Sequence, residues 1–468
     1  MNEAIEYSFE NQFSPENLFS VYREHIKETN AIGIDRLGRN QFELQLNEHV
    51  GILHTKTISG SYKFSQYREK LISKGANKLP RVISIPTFRD RIALRVLCNS
   101  LNAIFKSKVS LKIPQLVINE LKESIKENKY SFYAKLDIQN FYPSINQTIL
   151  FQRFDLTPID ERLKKLISSC ITTATVPYAD KNAEPNKRGV PQGLSISNIL
   201  AELYLSPFDE YYKNCDNIKY LRYVDDILIL TNEDPSHIVK NMIEKLKTEF
   251  CLDVHPLEAG STKTTCGKIT DSFFFLGYKF RKKKCLAKIE SIKRLEDSLA
   301  DIFTTHKYKI QHINQQNLEQ NEKTRKTIIA KNILMWRLNL RITGCIFEKA
   351  RKGWVFYFSQ IDEDHLEQLW KLDGTISNLL KRFNISVQKY EVRSFVRTYY
   401  ETKRKNLTSS SYIPNFDTES IQSQRRILSS YFGVKNLVNF SDSEIQGMFL
   451  RKIRKATKEL ESDIQDIS

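Results

Sequence analysis

The spacing of hydrophobic positions changes several times along the chain. Residues 1–60 mix amphipathic patches with polar turns. A short β-like run, Val82–Ile85, follows a stretch rich in Lys and Arg and is closed by Pro86. Residues 131–145 read as a strand followed by a turn at Pro143. Ile199, Leu200 and Leu203 keep helical spacing through residues 195–213, with Ser and Asn near the start. Residues 218–230 read as two short strands meeting at Asp225-Asp226, residues 237–250 as an amphipathic helix, and residues 273–280 as another strand. Helical and strand pieces interleave up to about Arg281, which implies an α+β or α/β body. Beyond it, residues 304–327 are rich in Gln, Asn and Lys and read as a solvated helix or a long connection. Residues 328–385 regain helical apolar spacing. Residues 386–468 read as helical and polar, broken by a loop at TSSSYIPNF. No repeat of fixed period is present.

Composition narrows the classes. The 468 residues are 40% hydrophobic, which is ample for a core and excludes global disorder. Lys and Arg number 72 against 55 Asp and Glu, a net charge of +17, which points to a polyanionic partner. The longest apolar runs, such as Ile227–Leu230 and Phe273–Leu276, are strand-sized, far short of the ~18 residues a membrane span needs. Met1 to Glu10 is acidic and lacks the apolar core of a signal peptide. The 7 cysteines are scattered, with no Cys-x-x-Cys, a reduced and cytoplasmic pattern. With no His/Cys cluster either, metal chemistry would have to use carboxylates.

Three segments carry candidate chemistry: AKLDIQNFYPSI (134–145), GVPQGLSISNILAELYL (189–205) and YLRYVDDILIL (220–230). In the third, two adjacent aspartates sit between apolar strand segments. Carboxylates among such neighbours are costly unless a cation neutralises them, although a turn with two solvated aspartates is the simpler alternative. Asp137, at the end of a predicted strand, could join the pair, or could merely cap a helix. Three aspartates suit two Mg²⁺ ions, which prefer oxygen ligands and together activate an attacking hydroxyl and stabilise a departing phosphate.

YVDD, LDIQNFYPSI and PQGLSIS resemble the palm motifs of reverse transcriptases, in the right order. KLPRVISIPTFRDR (78–91) resembles the fingers motif of bacterial and group II intron enzymes. Thr262-Lys263-Thr264 resembles the lysine-bearing motif, and Phe275-Leu276-Gly277-Tyr278 the primer grip. The resemblance spans residues 50–285. It implies an α+β, right-hand polymerase fold: an N-terminal extension (1–60), fingers and palm (61–285), thumb (286–385) and a helical C-terminal region (386–468).

It also implies roles for individual residues. Asp137, Asp225 and Asp226 would be catalytic metal ligands for two Mg²⁺ ions, with Mn²⁺ as an alternative. Tyr142 would be the steric gate that selects deoxynucleotides by excluding a 2′-hydroxyl. Gln192 and Gly193 would line the nucleotide pocket, with the glycine allowing close backbone approach, and Ser197 would help set the adjacent helix. Lys78 and Arg81 would meet the triphosphate. Lys263 would protonate or stabilise the leaving pyrophosphate. Gly277 and Tyr278 would contact nucleic acid. Eight Lys and Arg between Lys279 and Arg294, against one Glu, include Arg281, Lys282, Lys283 and Lys284. They would form a phosphate track for the template–primer duplex.

Departures narrow the group. No HNH-type Cys/His cluster follows the thumb, no RNase H domain is evident, and the motif is PQG rather than SQG. The Asn-Ala-x-x-His element of retron enzymes has no clean match, and Ile342-Thr343-Gly344 resembles their Val-Thr-Gly element but lies too late. The remaining resemblance is to the bacterial abortive-infection and antiphage defence-associated enzymes, with a retron-type enzyme making RNA-linked DNA as second choice. A polymerase-fold RNA-binding scaffold and an RNA-dependent RNA polymerase are the competing functions. The partners expected are an RNA template (a dedicated non-coding RNA is an option), the DNA product and deoxynucleoside triphosphates. A homo-oligomer is left open, and no membrane is involved. Tyr412, expected to be exposed and flexible in its loop, is the candidate hydroxyl for protein priming.

Overall fold

The strand segments of the sequence become a four-stranded antiparallel sheet in the computed structural model, which describes residues 8–27, 29, 31–73, 79–109, 112–155, 157, 159–257, 263–388, 390–403 and 411–461. The chain divides into two compact units. One comprises residues 1–113 and 128–268, the other residues 114–127 and 269–468.

In the first unit, β1 (Tyr67–Ile72) and β2 (Arg81–Ile85) form an antiparallel pair, and β4 (Thr175–Val176) lies parallel to β1. The main sheet has the order β5-β6-β3-β7, from β3 (Phe132–Asp137), β5 (Ile218–Tyr223), β6 (Asp226–Thr231) and β7 (Thr265–Lys268). Ile227 to Leu230 are all fully buried. Both faces of β6 are therefore covered, which is why this strand reads as a continuous apolar run rather than an alternating one. Helices Phe88–Ile104, Ser197–Lys213 and Ser236–Phe250 supply residues to the same core, as does the segment Phe9–Leu53. The N-terminal residues thus belong to the body of this unit.

A buried carboxylate ties the helix Phe88–Ile104 to what precedes it. Thr87 caps the helix by accepting from the Asp90 N–H and donates its hydroxyl to the Asp90 carboxylate. Asp90 also accepts from the Tyr62 hydroxyl at 2.6 Å and the Ser65 N–H at 3.2 Å. Burial holds its carboxyl above the usual range in spite of these donors.

In the second unit, β8 (Phe273–Phe275), β9 (Tyr278–Arg281) and β10 (Lys284–Ala287) form an antiparallel meander. The helices Ile289–Gln315 and Gln320–Thr343 follow. The Gln-rich stretch 304–327 therefore straddles a helix–helix turn. Leu295, Leu299, Ile302 and Phe303 give the first helix one buried stripe, and most of its remaining surface is polar. β11 (Cys345–Phe347) pairs with β12 (Ala350–Lys352).

The C-terminal helices Ile421–Phe432 and Asp442–Glu461 share one core with Leu340, Cys345 and Phe347. They complete this unit. The segment around Tyr412 corrects an expectation. Ile346 donates to the Pro414 carbonyl and accepts from the Phe416 N–H, which fastens residues 414–416 beside β11. Tyr412 is only 7% exposed, its hydroxyl accepts from the Ser394 N–H, and Arg393 and Arg397 lie over its ring, each 4.4 Å from the centroid. It is an anchored side chain and no longer a candidate for priming. All 7 cysteines are free, and among the described residues no helix is long and apolar enough to cross a membrane.

Candidate active site

Strand register brings the three aspartates together. β3 ends at Asp137, which stands opposite Asp226, the first residue of β6. Tyr223 pairs with Asp226, so Val224 and Asp225 form a two-residue turn between β5 and β6. The Asp225 carbonyl accepts from the Ile138 N–H at 3.3 Å, which docks this turn onto the end of β3.

The turn is strained. Val224 has φ +55°, a region where a β-branched side chain is an outlier. Arg222 holds it: Nη1 donates to the Val224 carbonyl at 2.8 Å. The same guanidinium makes a fork to Asp209 at 2.7 and 2.6 Å and another to Glu202 at 3.0 and 2.7 Å. The side chain is 3% exposed. Tyr220 donates to Asp209 as well. Nothing in the local sequence marks Arg222, because its partners lie on the helix Ser197–Lys213.

Each outer carboxylate faces a lysine. Lys263 Nζ lies 2.6 Å from Asp137 Oδ2, and His255 Nε2 lies 3.5 Å from Oδ1. Lys135, two residues before Asp137 and so on the same face of β3, places Nζ 3.2 Å from Asp226 Oδ1. That oxygen is buried and receives no well-directed hydrogen bond. Asp225 is pushed up to about 6, chiefly by burial, then by the charges of Asp226 and Asp137, with Lys263 opposing. Among the described residues no three His, Cys, Asp or Glu side chains are arranged as they stand to hold a metal ion. The donor set nevertheless fits a hard cation. Three carboxylates crowd one place, one is hard to ionise beside its neighbours, and one oxygen lacks a directed donor. Mg²⁺ commonly binds through one or two carboxylates plus substrate phosphates rather than a complete protein cage.

Tyr142 borders this cluster. Burial and the charge of Asp225 both raise its phenol above the ordinary value. Its hydroxyl donates to Asn198 Oδ1 at 2.7 Å, so Asn198 orients the ring, a role the sequence did not reveal. The Tyr142 carbonyl accepts from the Val190 N–H, strapping this segment to the Pro-Gln-Gly turn. Gln192 in turn accepts at its carbonyl from Ser84 of β2 at 2.7 Å, and its Oε1 is buried without a partner. Gly193 has φ +98°, and a Cβ there would lie 2.7 Å from Ile83 Cγ2 and 3.1 Å from the Ser84 carbonyl. Only glycine fits. Ser197 donates to the Pro191 carbonyl at 2.6 Å and joins the turn to the first turn of the helix. Arg81 is exposed at the start of β2. Lys78 and Thr262 lie outside the described residues.

The second unit holds the other residues expected to touch nucleic acid. Tyr278 is 2% exposed, its ring stacks on Tyr357 at 4.5 Å, and its hydroxyl donates to the Tyr357 carbonyl. Gly277 is buried in the β8–β9 turn and accepts from the Tyr357 hydroxyl. These two residues brace the hairpin. The side chain of Tyr278 is not presented to nucleic acid as expected, because packing against Tyr357 claims it. Arg281, Lys282, Lys283 and Lys284 are all exposed at the β9–β10 turn.

Residues 72–280 match the family model described as reverse transcriptase (RNA-dependent DNA polymerase). That stretch contains β2, the Pro-Gln-Gly turn and all three aspartates. That stretch is similar to a reverse transcriptase domain. The match supports RNA-directed DNA polymerase activity, and the mixed helices and strands fit an α+β, right-hand polymerase fold. Protein YkfC of Escherichia coli (strain K12) is 22% identical over 299 residues, covering 54% of this chain and 76% of YkfC. Among solved structures, a C-terminally truncated apo telomerase from Candida tropicalis matches at TM-score 0.37 and 19% identity, over 48% of this chain and 55% of that one. The chain thus spans about half the length of that telomerase. Candida albicans telomerase in complex with a fragment of telomeric RNA matches at TM-score 0.38 and 13% identity, over 87% and 69% of the two chains.

Arg222→Gln leaves Asp209 and Glu202 buried without their cation. The expected loss of stability is about 3–5 kcal/mol, read as a lower denaturant midpoint, together with lost nucleotide incorporation. An unchanged midpoint and rate would remove Arg222 from this role.

Proposed function

We propose that the chain extends DNA on an RNA template by divalent-metal nucleotidyl transfer at Asp137, Asp225 and Asp226, and that it serves bacterial antiphage defence. The observation that carries the catalytic reading is the pairing of Asp137 with Asp226 beside the Val224–Asp225 turn. Mg²⁺ held by these carboxylates would activate the primer hydroxyl and neutralise charge on the departing pyrophosphate. The protein's own groups do the rest. Lys263, half-exposed on Asp137, is placed to exchange that carboxylate for the triphosphate and to give a proton to the leaving group. Tyr142, fixed by Asn198, closes the space beneath the sugar. Gln192 and Gly193 form the wall next to β2, and Arg81 offers an exposed guanidinium for the phosphates. The defence reading rests on the sequence departures from intron, retroelement and retron enzymes.

The exposed turn Arg281–Lys284 supports a phosphate track. Lys282 and Lys283 have φ +48° and +66°, positions where such two-residue turns favour Asn-Gly. A strained backbone that presents two lysines to solvent fits a binding role better than a neutral loop.

Asp225→Asn keeps the shape and removes the charge. Incorporation of labelled deoxynucleotide on a primed RNA template should fall by orders of magnitude, with circular dichroism unchanged. Phage plating on cells making this variant should rise to the level without the protein. Polymerisation at the normal rate would sink the catalytic assignment, and protection that survives in an inactive variant would sink a defence role based on synthesis.

Tyr142→Val should raise ribonucleotide use relative to deoxynucleotide use in single-nucleotide extension. An unchanged ratio would place the gate elsewhere.

Replacing Arg281, Lys282, Lys283 and Lys284 with Gln should lower the slope of log affinity against log salt by ~1 for each phosphate left without its cation. A constant slope would leave the stripe as a solvated surface.

A further inference from the structure

The second unit contains a half-open cavity of about 250 Å³ among the helices Ile289–Gln315, Gln320–Thr343, Ile421–Phe432 and Asp442–Glu461. One wall is aromatic. The rings of Trp336 and Tyr431 stack at 5.9 Å and 20°, and Phe432 meets Trp336 edge-on at 4.9 Å. The remaining polar lining is mostly cationic: Arg337, Arg341, Lys452 and Lys455, with Glu459 the one acid. Glu459 lies 3.6 Å from Arg337. Lys452 and Lys455, one turn apart and exposed, have no carboxylate partner among the described residues, and Lys452 rests on the Phe432 ring. Lys309, on the helix Ile289–Gln315, titrates below an ordinary lysine, chiefly through burial and then through the charge of Arg337.

Cations from two helices line an apolar, aromatic cleft. Like charges brought together near low-dielectric walls repel, and an anion between them relieves that cost. Flat rings beside such charges suit a ligand with a π-face and a phosphate. The half-open cavity, of about 250 Å³, lies just below the ~300–1,000 Å³ of drug-sized sites, so it has room for one base with its sugar and phosphate at the open mouth and excludes a duplex.

We propose that this cavity is a nucleotide-binding site, separate from the polymerase centre, that takes one unstacked nucleotide against Trp336 with its phosphate on Lys452 and Lys455. The nucleotide could be free or one residue of a bound single-stranded RNA, and the chemistry is shared.

The test reads Trp336 fluorescence in the full-length protein. Trp370, which is 63% exposed, is first replaced by Phe to remove its signal, whereas Trp354 is fully buried. AMP, inorganic phosphate and a single-stranded RNA hexamer are titrated separately. Saturable quenching by AMP, weakened at least tenfold in Lys452→Gln/Lys455→Gln with unchanged circular dichroism, establishes a site for free nucleotide. Quenching by the hexamer but not by AMP, with the same sensitivity to the double variant, establishes the site for an RNA residue. An equal response to phosphate and AMP would overturn the stacking half of the proposal. No response to any probe at millimolar concentration, or a response indifferent to the lysines, would overturn it entirely. The readout is binding, so it stands or falls apart from the catalytic reading of the aspartates.

Discussion

Crowding three carboxylates at one end of a buried sheet is the constraint around which the first unit is organised. Asp137, Asp225 and Asp226 meet because β3 and β6 are paired in one register, and a slip by one residue would turn each side chain to the opposite face. The repulsion among them is met by groups of the chain itself: the Lys263 ammonium and the His255 ring at Asp137, and the Lys135 ammonium at Asp226. Burial and the charges of Asp226 and Asp137 raise the cost of ionising Asp225. The fold thus only partly offsets the penalty of holding three carboxylates together.

Holding the central aspartate requires a second buried charge network. The Val224 backbone is strained, and the Arg222 fork to Asp209, Glu202 and the Val224 carbonyl counters that strain from beneath. The Pro-Gln-Gly turn is held in a matching way. Ser197, Gly193 and the carbonyl of Gln192 bind it to the helix and to β2, leaving little freedom between them. The three aspartates thus sit at a strand end, a strand start and the two-residue turn between strands rather than on a long loop, as precise positioning demands.

The second unit uses its charge differently. Lysines and arginines are displayed at the β9–β10 turn and around the aromatic cavity, while Tyr278, Tyr357 and Tyr412 are drawn inside. Tyr278 and Tyr357 stack against each other, and Tyr412 lies under two guanidinium groups. The C-terminal helices share a core with Leu340 and Phe347, so residues beyond 386 complete the same body.

Local patterning alone determined the strands around the aspartates, the helix after the Pro-Gln-Gly turn and the basic character of the chain. These are short-range properties: alternation, helical spacing and turn residues are written within a few positions of one another. The resemblance of the ordered motifs likewise pointed to Asp137, Asp225, Asp226, Tyr142 and Gly193 together. Tertiary structure decided the rest. Arg222, Asn198, Lys135 and His255 acquire their roles from partners distant in sequence or across the sheet, and no local signal marks such a partner. Tyr278 and Tyr412 look available in the sequence and are buried in the fold, because exposure depends on what packs against a side chain. The sharing of one core by residues 340–347 and 411–461 arose in the same way, from apolar faces that find each other only when the chain is folded.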